Sequence, residues 1–451
     1  MTFAPKTPIA EILTALDTGG TTAATLLDTA LDRARDAAGE GARVFISLME
    51  ESARAEAAAS DGLRRAGVPP RPLEGLPVSI KDLFDVRGAV TTAGSKVLAT
   101  EPPAETDAPV IARLRAAGAV LVGRTNMTEF AYSGLGINPH YGTPANAWDR
   151  ASKRIPGGSS SGAAVSVTDG MAAVGLGTDT GGSVRIPSGL CGLAGFKPTQ
   201  RRVPIAGAVP LSSSLDSIGP LAPTMACCAR VHQVLAGETI RAIPPLPVRG
   251  LRLAVPRDFV LDDLDAETAS AFQAALSTIS EAGATVIDLP LPELLELPVI
   301  NAKGGFTAPE SYALHESHIL RDPDAFDPRV ISRMRRAGEQ SAAEYYALLN
   351  ARADLQARVA AKTGAFDAVL MPTTPRIAPP IAELEADDAT YGTVNLLMLR
   401  NCSVGNFLDR CAATIPVQAP GAAPVGLMIM GETLSDDRTL AIAQGLETLF
   451  Q

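Results

Sequence analysis

Two glycine-bracketed hydroxyl clusters constrain this chain more than any other feature. The first is Gly157-Gly158-Ser159-Ser160-Ser161-Gly162, and the second runs Gly175-Leu176-Gly177-Thr178-Asp179-Thr180-Gly181-Gly182-Ser183-Val184-Arg185. Between them the pattern reads as a helix from Ala163 to Asp169 and a buried strand from Ala172 to Gly177. Either cluster alone is explained by a tight turn, where glycine and serine are ordinary residues. Together they place nucleophile-sized hydroxyls on both sides of one apolar strand. Glycine-rich backbone of this kind turns several N–H groups inward, as an oxyanion hole or anion nest requires.

The rest of the chain supplies the layers around that strand. Apolar residues recur at helical spacing through Ile9, Ile12, Leu13, Leu16, Leu26, Leu27 and Leu31, so residues 1–66 read as a helical N-terminal cover. Pro69, Pro70 and Pro72 then lead into a short strand, Leu76 to Ile80, that delivers Lys81 at its end. A helix is expected from Asp107 to Ala117 and a strand from Ala119 to Gly123. Further strands are expected at Leu251 to Val255, Thr285 to Leu289, Ala368 to Met371 and Gly426 to Met430, with helices at Asp265 to Ala282 and Ala342 to Ala361. This mixed order predicts one α/β layered fold, in which the proline-rich stretches at Pro244 to Pro247 and Pro372 to Pro380 are turns or a linker. No fixed-period repeat is present.

Composition narrows the function classes. With 451 residues, 46% hydrophobic and 20% charged, the chain can bury a sizeable core and lies far from disordered compositions. A net charge of -10 argues against a broad basic surface for nucleic acid or anionic lipid, and Arg201-Arg202 and Arg333-Met334-Arg335-Arg336 read as solvated charges. The five cysteines show no metal-ligand spacing and no disulfide framework, which predicts reduced thiols and a cytoplasmic location. Pro5, Pro8, Glu11 and Asp17 interrupt the start where a signal peptide needs an apolar run, and no 18-residue apolar stretch predicts a membrane span.

Lys81 is the residue that would join the two clusters into chemistry. As a base it needs its pKa lowered from about 10.4, and burial beside Val78 and Ile80 shifts it in that direction. A strand-terminal lysine standing alone is more often a solvated cation. A rival arrangement lies in Gly158-Ser159-Ser160-Ser161-Gly162, which fits GxSxG with Ser160 as an α/β-hydrolase nucleophile and requires a partner such as His315 or His318. His315-Glu316-Ser317-His318 is not HExxH and reads as a helix face, and no GxxxxGK[ST] phosphate loop exists.

At these residues the chain resembles the amidase signature family of serine hydrolases. The paired glycines and serines at 157–162, the run from Gly177 to Pro187 and the pair Lys81-Asp82 carry the resemblance. Asn126-Met127-Thr128-Glu129-Phe130, Cys191-Gly192-Leu193 and Gly195-Phe196-Lys197-Pro198-Thr199 extend it. The resemblance is densest from Leu73 to Pro223. It implies one amidase domain over residues 1–451, with a signature core at 73–223 and a C-terminal part at 224–451 that completes the sheet and the pocket. The implied fold is a single compact α/β/α structure with a mixed central sheet covered by helices.

The resemblance also implies a Ser-Ser-Lys triad. Ser183 attacks a carbonyl, Ser159, following a cis peptide bond from Gly158, relays its proton, and Lys81 accepts it. The N–H groups of Thr180, Gly181, Gly182 and Ser183 form the implied oxyanion hole, and Ser160, Asp179 and Arg185 support the loops. Met127, Phe130, Tyr132, Leu135 and Ile137 are candidate pocket residues for which a core role is the equal alternative, and Thr307 to His315 falls where family members line the pocket. Neither metal nor organic cofactor is implied. The substrate implied is a small-molecule amide, with anilides, ureas and carbamates (a urethanase activity) and ester cleavage alongside, and a homodimer is the family habit.

The alternative within the family is the glutaminase component of a tRNA-dependent amidotransferase complex. Leu83 stands where those proteins usually carry Asn, and Ala131 to Asn138 departs from their Met-Gly and Ser-Thr-Glu-Asn pattern. Both departures favour a stand-alone enzyme.

Overall fold

The computed structural model describes residues 3–451. Its frame is one 11-stranded sheet, built from β1 (Phe45–Leu48), β2 (Pro77–Lys81), β3 (Val120–Thr125), β4 (Val174–Asp179), β5 (Ala194–Lys197), β6 (Ser217–Ala222), β7 (Arg252–Pro256), β8 (Thr285–Leu289), β9 (Ala368–Pro372), β10 (Ala412–Pro416) and β11 (Gly426–Met430). The spatial order is β1-β3-β2-β4-β6-β5-β10-β11-β9-β7-β8. Parallel pairs at β3-β2-β4 and β9-β7-β8 flank an antiparallel centre, so the sheet is mixed. Strands β2, β3, β4, β6, β9 and β11 are buried along their whole length because helices cover both faces, which is why they read as apolar runs rather than alternating ones.

The helical cover expected at residues 1–66 is interrupted by β1, a correction to that expectation. Phe45 pairs with Thr125 and Leu48 with Gly123, which extends the sheet by an edge strand. Three strands that the sequence pattern does not announce, β5, β6 and β10, lie at the centre of the sheet. Strand β6 contains Gly219 and Pro220, residues that argue against a central strand. Here the glycine is required, since a Cβ at Gly219 would stand 1.9 Å from the Phe196 carbonyl oxygen of β5.

Helix ends follow local chemistry. Thr22, Thr224 and Asp265 each accept a backbone N–H at the start of a helix, and Ser341 with Glu344 forms a capping box before Ala342–Thr363. The Ser161–Thr168 helix is buried on every side, wedged behind β4 with its first turn at the first serine cluster. The stretch Pro244 to Pro247 is an irregular segment laid on the last helix, where Leu246 N–H donates to the Ala441 carbonyl. Among the described residues no helix is long and apolar enough to cross a membrane, all five cysteines are free and buried, and no group of three or more His, Cys, Asp or Glu could hold a metal.

Candidate active site

Strand β2 ends at Lys81, and its parallel pairing with β3 and β4 fixes where that side chain emerges. Lys81 is fully buried, and its Nζ donates to Ser159 Oγ at 2.7 Å and to Thr178 Oγ1 at 2.8 Å. Burial lowers its pKa to about 7, against the opposing pull of Asp216 and Asp179. Near neutral pH a substantial fraction of Lys81 is therefore the free amine. Thr178, the last but one residue of β4, is a partner of the lysine that the triad pattern does not include.

Ser159 follows a cis peptide bond from Gly158. The loop is held on both sides: Gly158 N–H donates to the Gly134 carbonyl at 2.8 Å, and Thr128 N–H donates to the Ser159 carbonyl at 3.1 Å. Gly158 leaves no room for a side chain, since a Cβ there would meet Gly136 N at 2.5 Å. Ser160 N–H donates to the Ser183 carbonyl at 3.3 Å, which ties the two clusters together. The Ser160 hydroxyl is buried against Gly177 and makes only a long 3.5 Å contact with the Thr178 carbonyl, and among the described residues no histidine partners it. That placement disfavours the GxSxG arrangement.

The second cluster is organised by Asp179. Arg185 donates to it from Nη2 at 2.8 Å and Nε at 3.0 Å, Gly182 N–H donates at 2.9 Å, and Asn406 Nδ2 donates at 2.9 Å. Burial pushes the Asp179 carboxyl up, but the Arg185 charge and these donors outweigh it and hold the group well below its ordinary range. The pair is fully buried, and breaking such a pair leaves an uncompensated charge. Asp179→Ala is expected to cost about 3–5 kcal/mol in urea unfolding, because Arg185 would remain buried without its carboxylate.

Gly182 has φ 125° and a Cβ there would stand 2.5 Å from Cys402 Cβ, so only glycine fits the turn. Its N–H already serves Asp179. The N–H groups of Thr180, Gly181 and Ser183 have no acceptor among the described residues and remain available to an anion. Ser183, 2% exposed, stands at the wall of a cleft, and no hydrogen bond links its hydroxyl to Ser159 Oγ. Such contacts commonly tighten only when substrate is bound.

The cleft encloses about 680 Å³ and is lined by Thr180, Gly181, Ser183, Leu215, Phe306 and Phe407 among others. Of the candidate pocket residues, Tyr132 lines it. Met127, Phe130, Leu135 and Ile137 are core residues behind it: Phe130 packs on the rings of His315 and Phe326, Met127 lies against Gly94, and Leu135 and Ile137 sit in a buried apolar cluster. Thr307 also lines the cleft, while His315 and His318 point elsewhere on the Thr307–Arg321 helix, His318 toward Glu101. Arg333, read from the sequence as a solvated charge, is instead a cleft residue. It stacks 4.3 Å over the Tyr132 ring, donates to the Tyr132 carbonyl, and has no carboxylate partner among the described residues.

The chain is 41% identical over 403 residues to 2-amino-5-chloromuconic acid deaminase of Comamonas testosteroni, covering 88% of this chain and 86% of the relative. It is 33% identical over 470 residues to the A component of glutamyl-tRNA(Gln) amidotransferase from Chloroflexus aggregans, covering 96% and 94%. A solved structure described as an amidase superposes with a TM-score of 0.88 at 34% identity over 99% of this chain and 100% of its own. Native peptide amidase from Stenotrophomonas maltophilia gives 0.80 at 27% identity over 99% and 97%. The pattern of the Amidase family matches residues 25–440, and the chain belongs to that family, the amidase-signature enzymes.

Proposed function

We propose that the chain hydrolyses the C–N bond of a small-molecule amide through a Ser183 acyl-enzyme, with Ser159 as proton relay and Lys81 as base. The observation that carries this reading is the buried Lys81 amine, its pKa lowered to about 7, donating to Ser159 beside a cleft lined by Ser183. In the first half-reaction Ser183 Oγ bonds to the carbonyl carbon while its proton passes through Ser159 to the neutral Lys81 amine. Loss of the amine follows, protonated by the returning proton, and water repeats the sequence on the ester. The N–H groups of Thr180, Gly181 and Ser183 would hold the developing oxyanion.

The cleft volume suits a small organic ligand. Arg333, uncompensated beside Tyr132, offers a carboxylate-bearing substrate a charged anchor, and the Comamonas testosteroni relative is named for such an acid. The amidotransferase relatives support a second reading, a glutaminase that delivers ammonia to a partner protein. Leu83 and the 131–138 segment favour the stand-alone enzyme. A panel of amides, anilides and carbamates, with and without a carboxylate, assayed with the chain alone should give turnover of at least one class. Turnover of glutamine only when charged tRNA and a partner protein are added would move the assignment to the second reading.

A further inference from the structure

Asp216 lies in the turn before β6, outside every motif considered above, yet its carboxylate joins both halves of the site. Thr180 Oγ1 donates to Asp216 Oδ1, while Oδ2 accepts Leu211 N–H at 2.9 Å and Ser212 N–H at 3.1 Å. Asp216 N–H in turn donates to the Ser212 carbonyl at 2.8 Å. The turn itself is held by a second element. Glu310, on the Thr307–Arg321 helix, accepts Ser212 Oγ at 2.6 Å, Ser214 N–H at 3.1 Å and the Tyr345 hydroxyl at 2.7 Å. The carboxylate of Asp216 is therefore buried, 6% exposed, and fully engaged rather than free to swing.

We propose that Asp216 is a positioning residue of this site, holding Thr180 by its hydroxyl and supplying the negative charge against which Lys81 gives up its proton. The inference rests on the roles assigned to Lys81 and Thr180 above. Two carboxylates act on Lys81, Asp216 and Asp179, and they are not equivalent. Asp179 is neutralised by Arg185, with Lys197 adding a further positive charge nearby, whereas among the described residues Asp216 has no cation but Lys81 itself. Burial raises the Asp216 carboxyl to about 6, and Thr180, Ser212 and Leu211 oppose that rise, so it is charged through the neutral and alkaline range.

The arrangement has a mechanistic consequence. A backbone N–H serves as an oxyanion donor only if its peptide is fixed before the charge develops, since reorganisation during the reaction would cost what the contact supplies. Among the described residues Thr180 is the one member of its loop with a side-chain anchor to the turn before β6. Asp216 precedes Ser217, which pairs with Asp179 next to the Lys81 partner Thr178, so the carboxylate that fixes Thr180 also acts by its charge on the base. A neutral anchor would hold the loop and leave Lys81 a weaker base.

The test is the pH dependence of kcat and KM for the wild type, Asp216→Asn and Thr180→Val, from about pH 5 to about pH 10, with thermal melts for all three. Asp216→Asn can still bridge Thr180 and the turn but carries no charge, so the rising limb is expected to move toward acid by about one pH unit. Thr180→Val keeps the carboxylate and loses the anchor. Its kcat should fall about tenfold with KM changed less than about twofold, and its limb should not move toward acid. A merely structural Asp216 would lower stability and leave the limb in place, and that result overturns the inference, as does wild-type kcat in Thr180→Val. Should Asp216→Asn fail to fold, Thr180→Val decides alone. Ser183→Ala run in parallel separates the two levels: turnover surviving there sinks the functional reading, whereas an inactive Ser183→Ala with an unmoved Asp216→Asn limb sinks only this one.

Discussion

Ser183→Ala is expected to lower kcat/KM by about ten-thousand-fold or more while leaving the melting temperature near that of the wild type. The loss is large because neither Ser159 nor Ser160 is placed to substitute. Ser160 is turned onto Gly177, and Ser159 is engaged by Lys81. Ser183 alone of the three lines the cleft. The stability should hold because the Ser183 hydroxyl anchors nothing among the described residues: the loop is fixed by Asp179 through Gly182, Val184 and Arg185 N–H groups. Steady-state kinetics on any substrate found in the amide panel, with a thermal melt on the same preparation, checks both halves. Residual turnover above about one per cent of wild type would remove Ser183 from its assigned role.

Lys81→Met should cost about a thousand-fold in kcat or more, the scale of a lost general base. Its effect on stability should have the opposite sense. Lys81 is completely buried, and burial is the main cause of its lowered pKa, so the fold bears the cost of keeping this amine from water. Methionine fills similar space without that cost and without a charge, though it leaves Ser159 and Thr178 short of a donor. The melting temperature should therefore stay close to wild type or rise while activity collapses.

The pH profile gives the same assignment a second readout. On the proposed mechanism the neutral amine of Lys81 is the base, and burial lowers its pKa to about 7, so wild-type kcat/KM should climb about tenfold per unit below that pH and flatten above it. The residual activity of Lys81→Met should lack this limb. A limb of unchanged position in the variant would assign the titration to another group. Among the histidines, His232 and His315 have pKa values lowered to about 4 by burial, so neither supplies a limb near 7.

The site was legible where its chemistry is local in the chain. The glycine and serine clusters and the Lys81-Asp82 pair are short, contiguous patterns, and the backbone they require is visible in their own residues. The partners that arrive from elsewhere were not legible. Asn406 reaches Asp179 across more than two hundred residues of chain, and Arg333 meets Tyr132 from a helix that reads as a charged surface. Asp216 lies near in sequence but carries no pattern of its own.

The pocket shows the same limit from the other side. Met127, Phe130, Leu135 and Ile137 are close in sequence to the signature residues, and proximity made them candidates. Apolar character cannot distinguish a cleft wall from the core behind it, and the packing of Phe130 on Phe326 and His315 decides the matter. For the fold, the apolar strands were evident: Thr285–Leu289 and Gly426–Met430 stand where expected, and the bounds of the others moved by no more than two residues, as with Val174–Asp179. Strand β6 was hidden by Gly219 and Pro220, whose place in a central strand depends on the neighbouring β5 backbone.

Activation of Ser183 is read out directly by treating the protein with a serine-directed fluorophosphonate and mapping the modified peptide by mass spectrometry. This needs no knowledge of the substrate, because the reagent reads nucleophilicity and access alone. One adduct is expected, on Ser183, that forms faster as pH rises through about 7 and is absent from Ser183→Ala. An adduct on Ser160, or none under conditions in which the protein turns over an amide, would contradict it.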